Sequence, residues 1–166
     1  MADIPSTPAD GAVKVVWVPT IANPDAPTVA EVTAVSAVDL SCYLTSDGWT
    51  TGSDEQTVSD DRLCDTQNYE RPGSSSRTLS VKYVENPGST TDNKAYTTLT
   101  PRTTGFFVVR RGPIYSTALA SGDKVQVWPV QMGIYDWQPP ERNSVLRVQQ
   151  KAFVTGKVRD GVAIVA

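Results

Sequence analysis

Residues 77–84 read Arg-Thr-Leu-Ser-Val-Lys-Tyr-Val. Leu79, Val81 and Tyr83 alternate with Thr78, Ser80 and Lys82. Successive side chains of an extended chain point to opposite faces, so this pattern predicts a strand with one buried and one solvated face. Asn86-Pro87-Gly88 breaks it. Downstream, residues 91–99 (TDNKAYTTL) change period: Ala95, Tyr96 and Leu99 share one helical face, and Pro101 stops a short helix. Residues 104–110 (TGFFVVR) are continuously apolar at their centre, which predicts a central strand covered on both faces. Residues 123–137 predict a long strand or strand pair. There the apolar positions are odd at Val125 and Val127 but even at Trp128, Val130, Met132 and Ile134. A phase slip beside Pro129 predicts a bulge, and a residue without a backbone donor predicts a sheet edge or a kink. Residues 144–155 alternate again, with Leu146, Val148, Ala152 and Val154 opposite Arg147, Gln149 and Lys151. Gly156 separates them from a last strand at 157–165.

Upstream, residues 13–18 (VKVVWV) predict a strand with Val13, Val15 and Trp17 on one face, ended by Pro19. In the segment 24–36, Thr28 and Glu31 have capping-box spacing and predict a helical turn. The sum is a mainly β fold, two packed antiparallel sheets in a sandwich or barrel-like arrangement with one short helix. No internal repeat is visible.

Between these strands lies residues 39–73, DLSCYLTSDGWTTGSDEQTVSDDRLCDTQNYERPG. Leu40 to Leu44 reads as a strand. The remainder is polar, acidic and too long for an ordinary hairpin turn, and connections of that length are functional or disordered. We read 46–73 as an extended acidic arm, ordered only on meeting a partner. Residues 1–12 read as a flexible N-terminal arm, and 1–166 as one domain.

Composition excludes more than it includes. The chain has 166 residues, 39% hydrophobic, with a net charge of −3. That is enough for a real core, and too acidic for a nucleic-acid reader with a basic patch. The N-terminus is polar, without the apolar run of a secretory signal. No stretch reaches the length of a membrane span, so no membrane partner is expected. Cys42 and Cys64 are expected to be reduced and buried rather than bridged. Histidine is absent, which removes the commonest general base and metal ligand. Asp54, Glu55, Asp60 and Asp61 have no apolar neighbour in sequence to raise a carboxyl pKa, and they lack the spacing of a calcium loop. Ser74, Ser75 and Ser76 have no activating base. We expect no catalytic residues, no metal and no cofactor.

Two features point to binding. Trp49, Trp128 and Trp137 suit a core, a subunit contact or a sugar-stacking face. Charge is also unevenly placed: residues 46–70 carry seven acids and one base, while 142–157 carry four bases and no acid. Either copies of the chain meet with the acidic arm against the basic strand, or the two patches neutralise each other within one subunit. The candidate intersubunit residues are Asp47, Trp49, Asp54, Glu55, Asp60, Asp61, Arg142, Arg147 and Lys151.

The order of segments VWVPTIANPDAPTVAEV, DLSCYLTSDGW, DRLCDTQNYERPG, TLSVKYVENP, TDNKAYTTL followed by TTGFFVVRRG, and DKVQVWPVQMG resembles the major tail subunits, or tail tube proteins, of siphophages, especially the actinobacteriophage type. The resemblance spans nearly the whole chain. It implies a virion protein rather than an enzyme, with two packed sheets and an arm that leaves the body. It also implies self-assembly into stacked hexameric rings around a channel. Implied partners are further copies of the chain, a tape-measure protein, tail-end proteins, and DNA passing through the lumen without sequence-specific binding. Assembly would occur in the host bacterial cytoplasm. On this resemblance the basic segment after Arg142 is expected at an inter-ring interface. A carbohydrate- or receptor-binding β-sandwich of a virion is the alternative.

Overall fold

The computed structural model describes residues 4–64 and 66–166. Nine strands and two short helices follow in the order β1 (Val13–Val18), α1 (Val29–Val32), β2 (Val38–Asp39), β3 (Leu44–Asp60), β4 (Tyr69–Val84), α2 (Lys94–Thr98), β5 (Thr104–Arg111), β6 (Lys124–Met132), β7 (Asp136–Trp137), β8 (Arg147–Val154) and β9 (Arg159–Ala163). The strands form one antiparallel sheet in the order β2-β1-β5-β6-β8-β4-β3, with β9 also on β6 and β7 also on β8. The two packed layers expected from sequence are therefore two parts of one sheet.

That sheet folds over on itself. Trp49 of β3 lies edge-on to Phe107 of β5, with ring centroids 5.3 Å apart, although β6, β8 and β4 separate these strands in the hydrogen-bonded order. The enclosed core holds Trp17, Phe107, Trp128, Leu79, Val81, Tyr83, Val148 and Ala152. Leu40 is also there, so the end of the turn before β3 is sealed against the body. A second core lies on the other face of β1, β5 and β6, where Val16, Val18, Val108, Val125 and Val127 meet Val32 of α1 and Ile164. Strand β5 is thus covered on both faces, as its apolar run predicts.

The same two-sided burial explains the apparent phase slip in 123–137. Val125 and Val127 face the second core, whereas Trp128, Val130 and Met132 face the first. Register against β5 runs unbroken from Thr104↔Gln131 to Arg110↔Val125, so there is no bulge between these strands beside Pro129. The only irregularity in β6 is against β9, between Val125 and Val127. Pro129 is not at a sheet edge either. On its far side β6 changes partner, from β9 at Lys124 to Val127 to β8 at Val130 to Met132. A residue with no backbone donor sits where the sheet branches and no ladder bond from it is required.

The helices follow their local signals. Thr28 caps α1: its side chain accepts from the Glu31 backbone while Glu31 reaches back to the Thr28 backbone. In α2, Ala95 and Leu99 are buried and Tyr96 stacks on Tyr135 at 4.3 Å. Two helices form where one was expected. Gly105 is required by its neighbour: a Cβ there would lie 2.4 Å from the Trp17 ring.

Three further expectations fail. Leu40 to Tyr43 is a turn, and the strand begins only at Leu44. Leu146 is half-exposed and lies outside β8. Cys42 and Cys64 are both free but exposed, one in that turn and the other beyond the end of β3.

Candidate assembly interface

The segment read as an extended arm, ordered only on meeting a partner, is a β-hairpin within the subunit itself. Strands β3 and β4, of 17 and 16 residues, pair from Trp49↔Val81 out to Asp60↔Tyr69. Threonine and valine favour the extended chain, and the cross-strand ladder satisfies the backbone without any third element. The alternation is hidden because both faces of the outer half are solvated. Every residue from Thr50 to Ser59 on β3, and from Tyr69 to Thr78 on β4, is exposed. One register shift falls between Glu55 and Thr57.

The root of the hairpin is held tightly. The ladder between β4 and β8 begins at Leu79↔Ala152 and runs to Val84↔Arg147. Trp49 turns inward, edge-on to Phe107 and to Trp128. Gly48 lies so close to β4 that a Cβ would sit 2.1 Å from the Lys82 carbonyl oxygen. Lys82 donates to Asp47 at 2.6 Å, and Thr45 donates to the other Asp47 oxygen. The Lys82 ammonium and the Thr45 hydroxyl hold the Asp47 carboxyl down to about 2. At the last inward-facing position before the hairpin leaves the body, Arg77 pairs with Asp160 of β9 at 2.6 Å.

Most of the acids predicted for the interface stay unneutralised. Among the described residues, Asp54, Glu55, Asp61 and Glu70 have no ion-pair partner, while Asp60 is paired with Arg62 and Arg71. The basic segment does not fold against them. Arg147 pairs with Glu141, just ahead of that segment, and Lys151 lies over the Phe153 ring at 5.0 Å. Arg142 is exposed and makes no ion pair among the described residues. The hairpin acids and the basic segment are therefore not each other's partners within the subunit.

Among the described residues strand β3 pairs only with β4, so its outer edge carries a row of backbone groups unpaired by any strand. The residues proposed from sequence thus divide three ways. Asp54, Glu55, Asp60 and Asp61 lie on the projecting hairpin. Asp47 and Trp49 lie at its root, with Trp49 serving this chain's own core rather than a neighbour. Arg142, Arg147 and Lys151 lie in or beside β8. A three-tryptophan sugar face does not form, because Trp128 is buried, Trp49 turns inward and only Trp137 is widely exposed. Sequence reasoning missed Arg77 and Asp160. The available signal was parity: Arg77 shares the inward phase of Leu79, Val81 and Tyr83, an uncommon place for a charge without a partner.

A β body with a long projecting hairpin has the form of a building block. The family model for phage tail tube proteins matches residues 1–166. The chain belongs to the phage tail tube protein family. It is a structural protein of the phage tail. A solved structure similar to this tail tube protein comes from the "Cryo-EM structure of the anti-feeding prophage (AFP) baseplate, 6-fold symmetrised". The likeness has a TM-score of 0.55 at 10% identity and covers 93% of this chain and 95% of that one. At that identity it speaks for the fold alone. No curated protein sequence matches the chain.

Proposed function

We propose that this tail tube protein self-assembles into stacked hexameric rings, forming the tube of a siphophage tail of the actinobacteriophage type, through which DNA leaves the virion. In this reading residues 1–166 are a single tail-tube domain. The observation that carries the reading is the hairpin. An exposed ribbon with solvent on both faces gains little for an isolated subunit, and among the described residues Asp54, Glu55, Asp61 and Glu70 on it and its tip have no ion-pair partner in their own chain. Such a ribbon suits a neighbour. The basic segment holding Arg142, Arg147 and Lys151 offers complementary charge, which orients a contact more than it strengthens it. The six-fold symmetry named for the related baseplate fits a ring of six. A head-to-tail contact that closes around a ring stays open along the axis, so rings can stack into a tube. The net charge of −3 gives a channel wall that does not hold DNA phosphates. Further partners are a tape-measure protein inside the tube and tail-end proteins at its limits, with assembly in the host cytoplasm.

The test is microscopy of two proteins. In negative stain the purified chain is expected to form rings or tubes. A variant with residues 55–75 replaced by an Asn-Gly turn, which suits a two-residue hairpin closed by the Asp54↔Ser76 pair, is expected to stay folded and fail to stack. A native protein that remains monomeric at high concentration, or a shortened variant that builds normal tubes, would overturn the reading.

A further inference from the structure

Beyond Leu79 the hairpin has no third strand beside it: the β4–β8 ladder ends at the Leu79↔Ala152 pair. What fixes its direction must lie at the root. Among the described residues, Arg77 is the one side chain between Ser53 and Arg77 that hydrogen-bonds outside the hairpin. Its guanidinium donates to both oxygens of Asp160, at 3.3 and 2.6 Å. Gln126 of β6 donates to the same carboxylate at 2.6 Å. The guanidinium carbon lies 5.8 Å from the centroid of the Trp128 ring. Trp128 is in turn edge-on to Trp49, Trp49 to Phe107, and Phe107 to Trp17. Arg77 thus rests on the end of a row of aromatic rings and grips the edge strand β9 across the opening of the folded sheet.

We infer that Arg77 and Asp160 form a latch that sets the angle at which the hairpin leaves the body. The geometry suits this role. A planar guanidinium meeting a carboxylate through two parallel bonds fixes orientation as well as distance. Both partners are partly exposed, with side-chain accessibilities of 40% and 44%, so the pair adds little to global stability. Its leverage is mechanical. The eight steps along the strand from Gly52 to Asp60 reach about 26 Å at about 3.3 Å per residue. A swing of about 10° at the root then moves the tip by about 5 Å, which is one strand spacing. A tip displaced by that much meets a different row of any partner. The inference rests on the assembly reading for its consequence, since the latch would then set how one ring is aligned with the next. It does not need that reading to be tested.

The chain carries its own reporters. Cys42 lies in the body, Cys64 lies beyond the outer end of β3, both are exposed, and there are no other cysteines. Nitroxide labels on these two thiols allow a pulsed-EPR distance measurement on the unassembled subunit, diluted with unlabelled protein. The native chain is expected to give one narrow distribution. Arg77→Gln and Asp160→Asn are each expected to broaden it or to shift its mean by about 5 Å, with the melting temperature nearly unchanged. Asp160→Glu, which keeps the carboxylate, is expected to stay closer to native than Asp160→Asn. Distributions of native mean and width in both Arg77→Gln and Asp160→Asn would overturn the latch. Because the distance is read before any tube forms, failure of the latch is distinguishable from failure of the assembly reading, which microscopy decides.

Discussion

Gln150 is the point at which the fold can be tested most sharply. It is 1% exposed, on β8, among apolar side chains. Its amide oxygen accepts from the Tyr83 hydroxyl at 2.7 Å. Its amide nitrogen donates to the carbonyls of Leu99, at the end of α2, and Gly133, just after β6, at 2.9 and 3.0 Å. One side chain therefore ties four parts of the enclosed core together. Gln150→Leu keeps the approximate volume but strips partners from a hydroxyl and two carbonyls. An orphaned buried polar group costs about 1–3 kcal/mol, and the added apolar surface returns part of that, so we expect a net loss of about 3 kcal/mol. For a chain of this length that is a fall in melting temperature of about 6–12 °C. The decisive variant is Tyr83→Phe. Alone it removes a satisfied hydrogen bond and leaves the Gln150 oxygen bare, at a cost of about 1–2 kcal/mol. In the Gln150→Leu background it removes an orphaned hydroxyl instead, and we expect it to restore about 1–2 kcal/mol. The same substitution should change sign between the two backgrounds. Urea titrations of the native chain, both single variants and the double variant supply the cycle. If Tyr83→Phe destabilises both backgrounds equally, the network argument is refuted.

Two other outcomes follow from buried and paired charge. Arg110 is 2% exposed and donates to Asp123 and to the carbonyls of Ile114, Thr117 and Ala118, so it organises the β5–β6 connection from inside. Arg110→Met leaves three loop carbonyls without their buried donor, beside a partly exposed Asp123 carboxylate, and should cost about 2–4 kcal/mol, read as a lower urea midpoint. At the hairpin root, Asp47 is held at about 2 by Lys82 and Thr45, below its ordinary value of 3.8. A depressed carboxyl favours the folded state above its unfolded pKa and loses that contribution as pH falls through the folded one. The protection factors of amides at the β3–β4 root, which divide out the intrinsic pH dependence of exchange, should therefore be unchanged from neutrality down to about pH 4, and should fall between about pH 4 and 2. In Asp47→Asn that step should be missing.

The legible and illegible parts of the sequence differ by a physical rule. A pattern is readable when one face of an element is dry and the other wet. Strand β4 from Leu79 to Tyr83 and strand β8 from Val148 to Ala152 meet that condition, and the alternation located both. Helix α1 was marked by a cap whose chemistry is local. Strand β6 has both faces dry, so its two sets of apolar residues, turned to different cores, imitated a register slip. The outer hairpin has both faces wet, so its strands imitated a disordered loop. Burial removes the polar half of the code in one case and exposure removes the apolar half in the other. The contacts that position the hairpin were least visible of all. Arg77 meets Asp160 across 83 positions of sequence, and no spacing rule connects residues that only the folding-over of the sheet brings together. A single charged residue in the inward phase of a strand is the one local trace such a contact leaves. In this chain that trace marks the place where the β body ends and the projecting hairpin begins.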